Sequence, residues 1–165
     1  MWLACLLSSM LLPAPFARSQ PGYDLLRQPA PDFALRSYAG GNVRLSEHRG
    51  EVVVLSFWGS RCTPCRGQLL ALERSLSTYR SAGLSIYGVN VDDDQARALE
   101  FARGERVHFP LLLDPTKAVS RQYEVDNLPM TVLIDRSGTV RYVHRDYNDK
   151  SEQLYLQQLR ALLNE

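Results

Sequence analysis

Glu51-Val-Val-Val-Leu-Ser-Phe57 runs without a break into Trp58-Gly-Ser-Arg-Cys-Thr-Pro-Cys65. The first stretch is apolar almost throughout, as a strand buried on both faces of a sheet must be. After Cys65, Leu69, Leu72, Leu76 and Tyr79 recur at helical spacing, and Gly83 supplies a stop. The junction is therefore a strand, a tight turn and a helix, with Cys62 at the helix start. Helix N-termini carry unpaired N–H groups and partial positive charge. A thiolate placed there is stabilised, which lowers the cysteine pKa and raises reactivity at neutral pH. The two intervening residues bring Cys65 round the first turn toward Cys62, so one sulfur can attack a substrate disulfide and the other can resolve the mixed disulfide. Pro64 falls in the first turn, where a missing N–H costs least.

Working outward, residues 32–35 and 42–45 flank Gly40-Gly41 as a hairpin. Residues 84–91 form a second buried strand. Asp92, Asp93 and Asp94 then make an acidic start to a helix over 95–103, a better account of them than a cation site. Residues 109–113 predict a short strand, and Thr116 is placed to cap a helix reaching Tyr123. Residues 131–134 and 139–144 pair across the turn Arg136-Ser-Gly138, and 151–163 form an amphipathic last helix. The order is β-β-β-α-β-α-β-α-β-β-α. Its alternating middle demands parallel neighbours with helices on both faces, and the late hairpin adds an antiparallel section.

The chain has 165 residues, the size of one domain, with 45% hydrophobic and 22% charged residues. A net charge of +1 and scattered Lys and Arg give no footprint for nucleic acid or an anionic membrane. Residues 2–16 carry no charge and recur in Leu, and Pro13, Ala14, Pro15 and Ala17 close the segment. Residues 1–17 are expected to be a secretory signal peptide or a short N-terminal anchor, 18–30 a linker and 31–165 the folded domain. The expected location is periplasmic, or tethered on the outer side of the cytoplasmic membrane. Cys5 falls in the leader, which leaves Cys62 and Cys65. A pair this close constrains little of the unfolded chain, so reactivity explains it better than stapling. His48, His108 and His144 lie far apart in sequence and are expected to be structural. Arg61 and Arg66 flank the cysteines and either lower the thiol pKa or are simply solvated.

The segment Trp58–Arg66 behind an apolar strand resembles the active site of thioredoxin-fold thiol–disulfide oxidoreductases, and more narrowly their TlpA/ResA-like branch, related to the AhpC/TSA redoxins. Ala30-Pro-Asp-Phe33 with Leu45 and Gly50 resembles that branch's N-terminal hairpin. Val89-Asn-Val-Asp92 and Phe109-Pro-Leu-Leu-Leu-Asp114 flank what resembles its central αβ insertion. Leu128-Pro129-Met-Thr-Val-Leu-Ile-Asp135 with Gly138 resembles its cis-proline strand. The likeness covers about residues 29–163. It implies an α/β fold: a thioredoxin-like three-layer sandwich with a mixed central sheet, an N-terminal β-hairpin and a central αβ insertion.

The resemblance also implies roles. Cys62 would attack and Cys65 resolve. Pro129 would be cis and face them, and Leu128 would offer its main chain to a substrate peptide. Trp58 would pack beside the sulfurs, and Thr63 and Pro64 would tune the redox potential. No cofactor is expected beyond the Cys62–Cys65 disulfide. The expected partners are protein thiols and disulfides and a membrane electron carrier, with no nucleic acid and a monomeric chain. Three positions depart from the family pattern: Ser56 stands where thioredoxins carry a buried Asp, Gln68 where the branch often has Glu, and Leu70 where a proline is common. Cys65 thus lacks the obvious proton acceptor.

Three competing functions are weaker. A peroxiredoxin-like peroxidase would need Thr or Ser three residues before its cysteine, where Gly59 and Cys62 stand. A copper-binding module could use a CxxC pair, but relatives of that kind space their cysteines more widely and add a histidine. A mere binding scaffold would have no need of the cysteine pair.

Overall fold

A computed structural model describes residues 25–165; the expected leader 1–17 with Cys5, and the linker as far as residue 24, lie outside the described residues. In chain order the elements are β1 (Ala34–Arg36), β2 (Asn42–Arg44), β3 (Val52–Trp58), α1 (Thr63–Tyr79), β4 (Leu84–Asn90), α2 (Gln95–Gly104), β5 (Leu111–Leu113), α3 (Ala118–Gln122), β6 (Met130–Ile134), β7 (Val140–His144) and α4 (Asp149–Leu163). Five strands make one mixed sheet in the order β5-β4-β3-β6-β7, and β1 and β2 pair separately. β3 is parallel to β4 and antiparallel to β6, so it lies at the centre.

All seven residues of β3 are buried, and their alternation builds two cores. Val53, Leu55 and Phe57 face a cluster with Phe33, Leu45, Val119 and Tyr123. Val52, Val54 and Trp58 face one with Leu69, Leu72 and Leu76 of α1, Ala98 of α2, and Tyr155, Leu159 and Leu162 of α4. Each such aliphatic side chain contributes about 1.5–3 kcal/mol by leaving water. Helices α1, α2 and α4 thus cover one face, and α3 with the N-terminal hairpin covers the other.

The N-terminal segment also shields both sheet edges, which would otherwise expose unpaired backbone groups. Ser37 bridges Leu112 of β5. At the opposite edge Arg27 N–H donates to Val140 at 2.7 Å, and Val140 N–H donates to Gln28 at 2.9 Å. Residues 27–30, at the end of the expected linker, therefore run alongside β7. Among the described residues no helix is long and apolar enough to cross a membrane.

Two local expectations need correction. Thr116 does not cap α3. Lys117 occupies the cap position with φ 55°, and the buried Asp114 carboxylate accepts from Val119 N–H at 3.3 Å and Ser120 N–H at 2.7 Å. β5 starts at Leu111 rather than at residue 109, because Pro110 has no N–H for the ladder.

The β6–β7 turn is organised by Asp135, which accepts from Ser137 N–H and Thr139 N–H, each at 3.0 Å, and from Arg141 at 3.2 Å. Burial pushes its carboxyl up, but these bonds and that from the Ser137 hydroxyl outweigh it and hold the carboxyl below the usual range. A depressed folded-state value means stability that is present at neutral pH and lost as pH falls below about 4. Asp135→Ala is expected to cost about 1–3 kcal/mol at pH 7 and less at pH 3, measured by denaturant unfolding. An equal cost at both pH values would contradict this.

Candidate active site

β3 ends at Trp58, a three-residue turn follows, and Cys62 is the N-cap of α1 with φ −89° and ψ 102°. Its sulfur accepts from Cys65 N–H at 3.2 Å, so the thiol takes the place of a capping hydroxyl. Cys62 and Cys65 are disulfide-bonded, with S–S 2.02 Å and Cα–Cα 5.3 Å. Cys65 is fully buried, and Cys62 is half-buried. Thr63 and Pro64 are exposed at the rim. A partner sulfur arriving from solvent therefore meets Cys62, with Cys65 behind it.

The β3–β6 register pairs Phe57 with Met130. Continued by two residues, it sets Pro129 level with Trp58 and Leu128 level with Gly59. The Leu128–Pro129 bond is cis, as expected. A Cβ on Gly59 would lie 3.1 Å from Leu128 Cδ1, so a larger residue at this turn position would have to push the Leu128 side chain aside by a few tenths of an ångström. Pro129 is buried and Leu128 half-exposed. Among the described residues neither backbone group of Leu128 bonds to another main-chain group.

Trp58 is fully buried in the apolar cluster that holds Cys65, and it stacks on Phe101 of α2 at 5.2 Å. Its indole N–H has no acceptor among the described residues. Gly88 makes space for it, since a Cβ there would sit 3.1 Å from Trp58 Nε1 and 2.5 Å from Leu111 Cδ2. The residues singled out from sequence thus gather at one end of the sheet.

Beneath the disulfide lies a chain of buried polar groups. The Ser56 hydroxyl donates to Gln68 Oε1 at 2.8 Å, and Gln68 Nε2 donates to Thr131 Oγ1 at 2.6 Å. All three residues are at most 1% exposed. Ser56 and Thr131 are cross-strand partners, and Gln68 lies one helical turn past Cys65. Ser56 and Gln68, the two polar positions that depart from the family pattern, are therefore joined in one neutral network.

The acidic run is only in part what the sequence suggested. Asp94 caps α2 by accepting from Arg97 N–H at 3.1 Å, and Asp93 pairs with Lys117 at 2.6 Å. Asp92 instead accepts from Ser60 N–H at 2.8 Å and from Asn90 Nδ2 at 2.9 Å. Tyr38 donates to Asn90 Oδ1 at 3.4 Å; burial, then the Asp92 charge, pushes its hydroxyl up to about 12, so it stays protonated. Sequence reasoning missed Asn90, Asp92, Thr131 and Phe101. One available signal was the polar Asn-Val-Asp at the carboxyl end of a buried parallel strand, where α/β folds place their sites.

The flanking arginines differ. Arg66 is engaged by Glu105 at 2.9 Å, whereas Arg61 is exposed and has no ion-pair partner among the described residues. His48 meets Tyr87 and Glu51, His108 meets Glu73, and His144 meets Gln158. Among the described residues no three His, Cys, Asp or Glu side chains converge to hold a metal ion.

The profile of the AhpC/TSA family matches residues 26–143. Thiol-disulfide oxidoreductase ResA from Geobacillus kaustophilus is 36% identical over 114 residues, 69% of this chain and 66% of that protein, so the match spans just under two-thirds of the relative. A Chlorobium tepidum chain provisionally identified as thiol:disulfide interchange protein DsbE superposes with TM-score 0.79 at 34% identity, covering 82% of this chain and 95% of its own. A Bacteroides thetaiotaomicron chain provisionally identified as a protein disulfide isomerase gives 0.78 at 32%, covering 85% and 91%. The architecture is the expected thioredoxin-like α/β sandwich.

Proposed function

The chain belongs to the AhpC/TSA family, and from that premise we propose that it is a thiol–disulfide oxidoreductase exchanging its Cys62–Cys65 pair with protein substrates outside the cytoplasm. One observation carries the reading: a half-buried cysteine caps a helix and is bonded to a fully buried one behind it.

In the reducing direction, the Cys62 thiolate attacks one sulfur of a substrate disulfide. That S–S bond breaks, a mixed disulfide forms, and the other substrate sulfur leaves as a thiolate. Cys65 then loses its proton and attacks the Cys62 sulfur. The internal disulfide re-forms, and the substrate departs with two electrons and two thiols. In the oxidising direction the same steps run backward. Water or the leaving substrate thiolate takes the Cys65 proton, since Ser56 and Gln68 offer no carboxylate.

The remaining roles follow the same reading. Leu128 offers its main chain to an extended substrate segment. Pro129 shapes that strand opposite Cys62. Trp58 keeps water from the buried sulfur, and Thr63 and Pro64 set the redox potential from the rim. The internal disulfide serves in place of a cofactor. Residues 1–17 export or anchor the chain, 18–30 link, and 31–165 carry the activity. A membrane electron carrier resets the pair, and the chain works as a monomer.

The test is trapping. Cys65→Ala can form the mixed disulfide but cannot resolve it. Incubated with a disulfide-bonded protein, it is expected to accumulate a covalent adduct through Cys62 that a reductant releases. Turnover without any adduct would overturn the assignment of roles.

A further inference from the structure

The three consecutive aspartates after β4 have three different partners, and only Asp92 touches the turn that delivers Cys62. Its Oδ2 accepts from Ser60 N–H at 2.8 Å. Its Oδ1 would lie 3.2 Å from a Cβ on Gly59, so the carboxylate borders both residues that leave β3. Leu128 Cδ1 stands 3.1 Å from the same point. The turn is thus bordered by both the residue before the cis-proline and Asp92.

Asp92 is itself held. Asn90, which is 2% exposed, donates through Nδ2 to Asp92 Oδ2 and accepts through Oδ1 from Asp92 N–H at 3.2 Å. The Tyr38 hydroxyl bonds to the same Asn90 oxygen, and Val91 N–H donates to Trp58 at 3.0 Å. Cys62 N–H closes the turn onto Gly59 at 3.0 Å. An unbroken line of hydrogen bonds therefore runs from Tyr38 beside the hairpin through Asn90 and Asp92 to Ser60, two residues before the attacking sulfur. A backbone N–H bonded to a carboxylate is among the stronger hydrogen bonds available to a loop.

We propose that Asp92 is a positioning residue for the redox turn: by holding the Ser60 amide it fixes the path of Gly59–Arg61 and so the presentation of the Cys62 sulfur. Asn90 orients Asp92 for this task. The proposal rests on the reading of Cys62 as the exchanging thiol.

The experiment uses the full chain and compares Asp92→Ala, Asp92→Asn, Asn90→Ala and Asp93→Ala, each confirmed folded by circular dichroism. The readouts are kcat/KM for reduction of a protein disulfide, the alkylation rate of reduced Cys62, and the thiol–disulfide equilibrium against glutathione. Asp92→Ala is expected to lower the alkylation rate and kcat/KM about tenfold or more, since a small misplacement of a reacting group is costly. Asp92→Asn keeps an acceptor for Ser60 N–H and is expected to recover to within about threefold. Asn90→Ala is expected to show the same loss in smaller measure, and Asp93→Ala none. A folded Asp92→Ala with the wild-type alkylation rate and glutathione equilibrium overturns the proposal. Should Asp92→Ala not fold, unchanged kinetics in Asn90→Ala overturn it equally. A wild-type chain that exchanges no disulfide refutes instead the underlying reading of Cys62.

Discussion

Cys62→Ala is expected to abolish protein-disulfide reduction, with a loss of about a thousandfold or more. Exchange requires a thiolate that can reach a sulfur in a second protein. Cys65 is fully buried in the first turn of α1, so it cannot take over the attack. The loss is expected without unfolding. The loop closed by the Cys62–Cys65 bond spans only the first turn of α1, so removing the bond returns little entropy to the unfolded chain. The core around β3 does not involve the Cys62 sulfur as a major filler, since that side chain is only half-buried. Thermal unfolding of Cys62→Ala should therefore differ from that of the reduced wild type by no more than the loss of one helix cap, about 0.5–2 kcal/mol, while the rate of reduction falls to background. Retention of more than about a tenth of the wild-type rate would show that another group carries the chemistry.

The element order was legible because hydrophobic periodicity is local. β3 and β4 are nearly continuous apolar runs, and both lie buried between helices. The cysteine pair was legible for the same reason: strand, turn and helix start are contiguous in the chain. The features that were missed depend on contacts across the fold. Asp114 caps α3 from beyond the helix start, through Val119 and Ser120, a spacing no local capping pattern contains. Asp92 looks like a helix-dipole residue until β4 is laid parallel to β3, which sets its carboxylate against Ser60. Thr131 gave no sign of its role, because its link to Gln68 spans sixty-three positions and exists only once β6 pairs with β3. The edge pairing of residues 27–30 with β7 was hidden by Pro29 and the nearby Pro21 and Pro31, which suggest a linker when taken alone.

Gln68→Leu is expected to be the most destabilising of the polar-to-apolar changes near the site. Leucine roughly matches the volume but removes both an acceptor for the Ser56 hydroxyl and a donor to Thr131 Oγ1. Each hydroxyl is then buried without that partner, at about 1–3 kcal/mol apiece. Some of this returns if Ser56 and Thr131, opposite each other in the ladder, bond directly. A net cost of about 2–4 kcal/mol in denaturant unfolding follows. The cost belongs to stranded polar atoms rather than to the lost bonds themselves, and that distinction can be measured. In the triple variant Ser56→Ala/Gln68→Leu/Thr131→Val no polar side-chain atom is left in the chain of three. Its stability is expected to recover to within about 1 kcal/mol of wild type, far above the sum of the single changes. Because none of the three side chains titrates, the cost of Gln68→Leu should be the same at pH 5 and pH 8. A triple variant as unstable as the summed single variants would show that the network stabilises by its bonds. A cost that changes with pH would show that an ionisable group is joined to it.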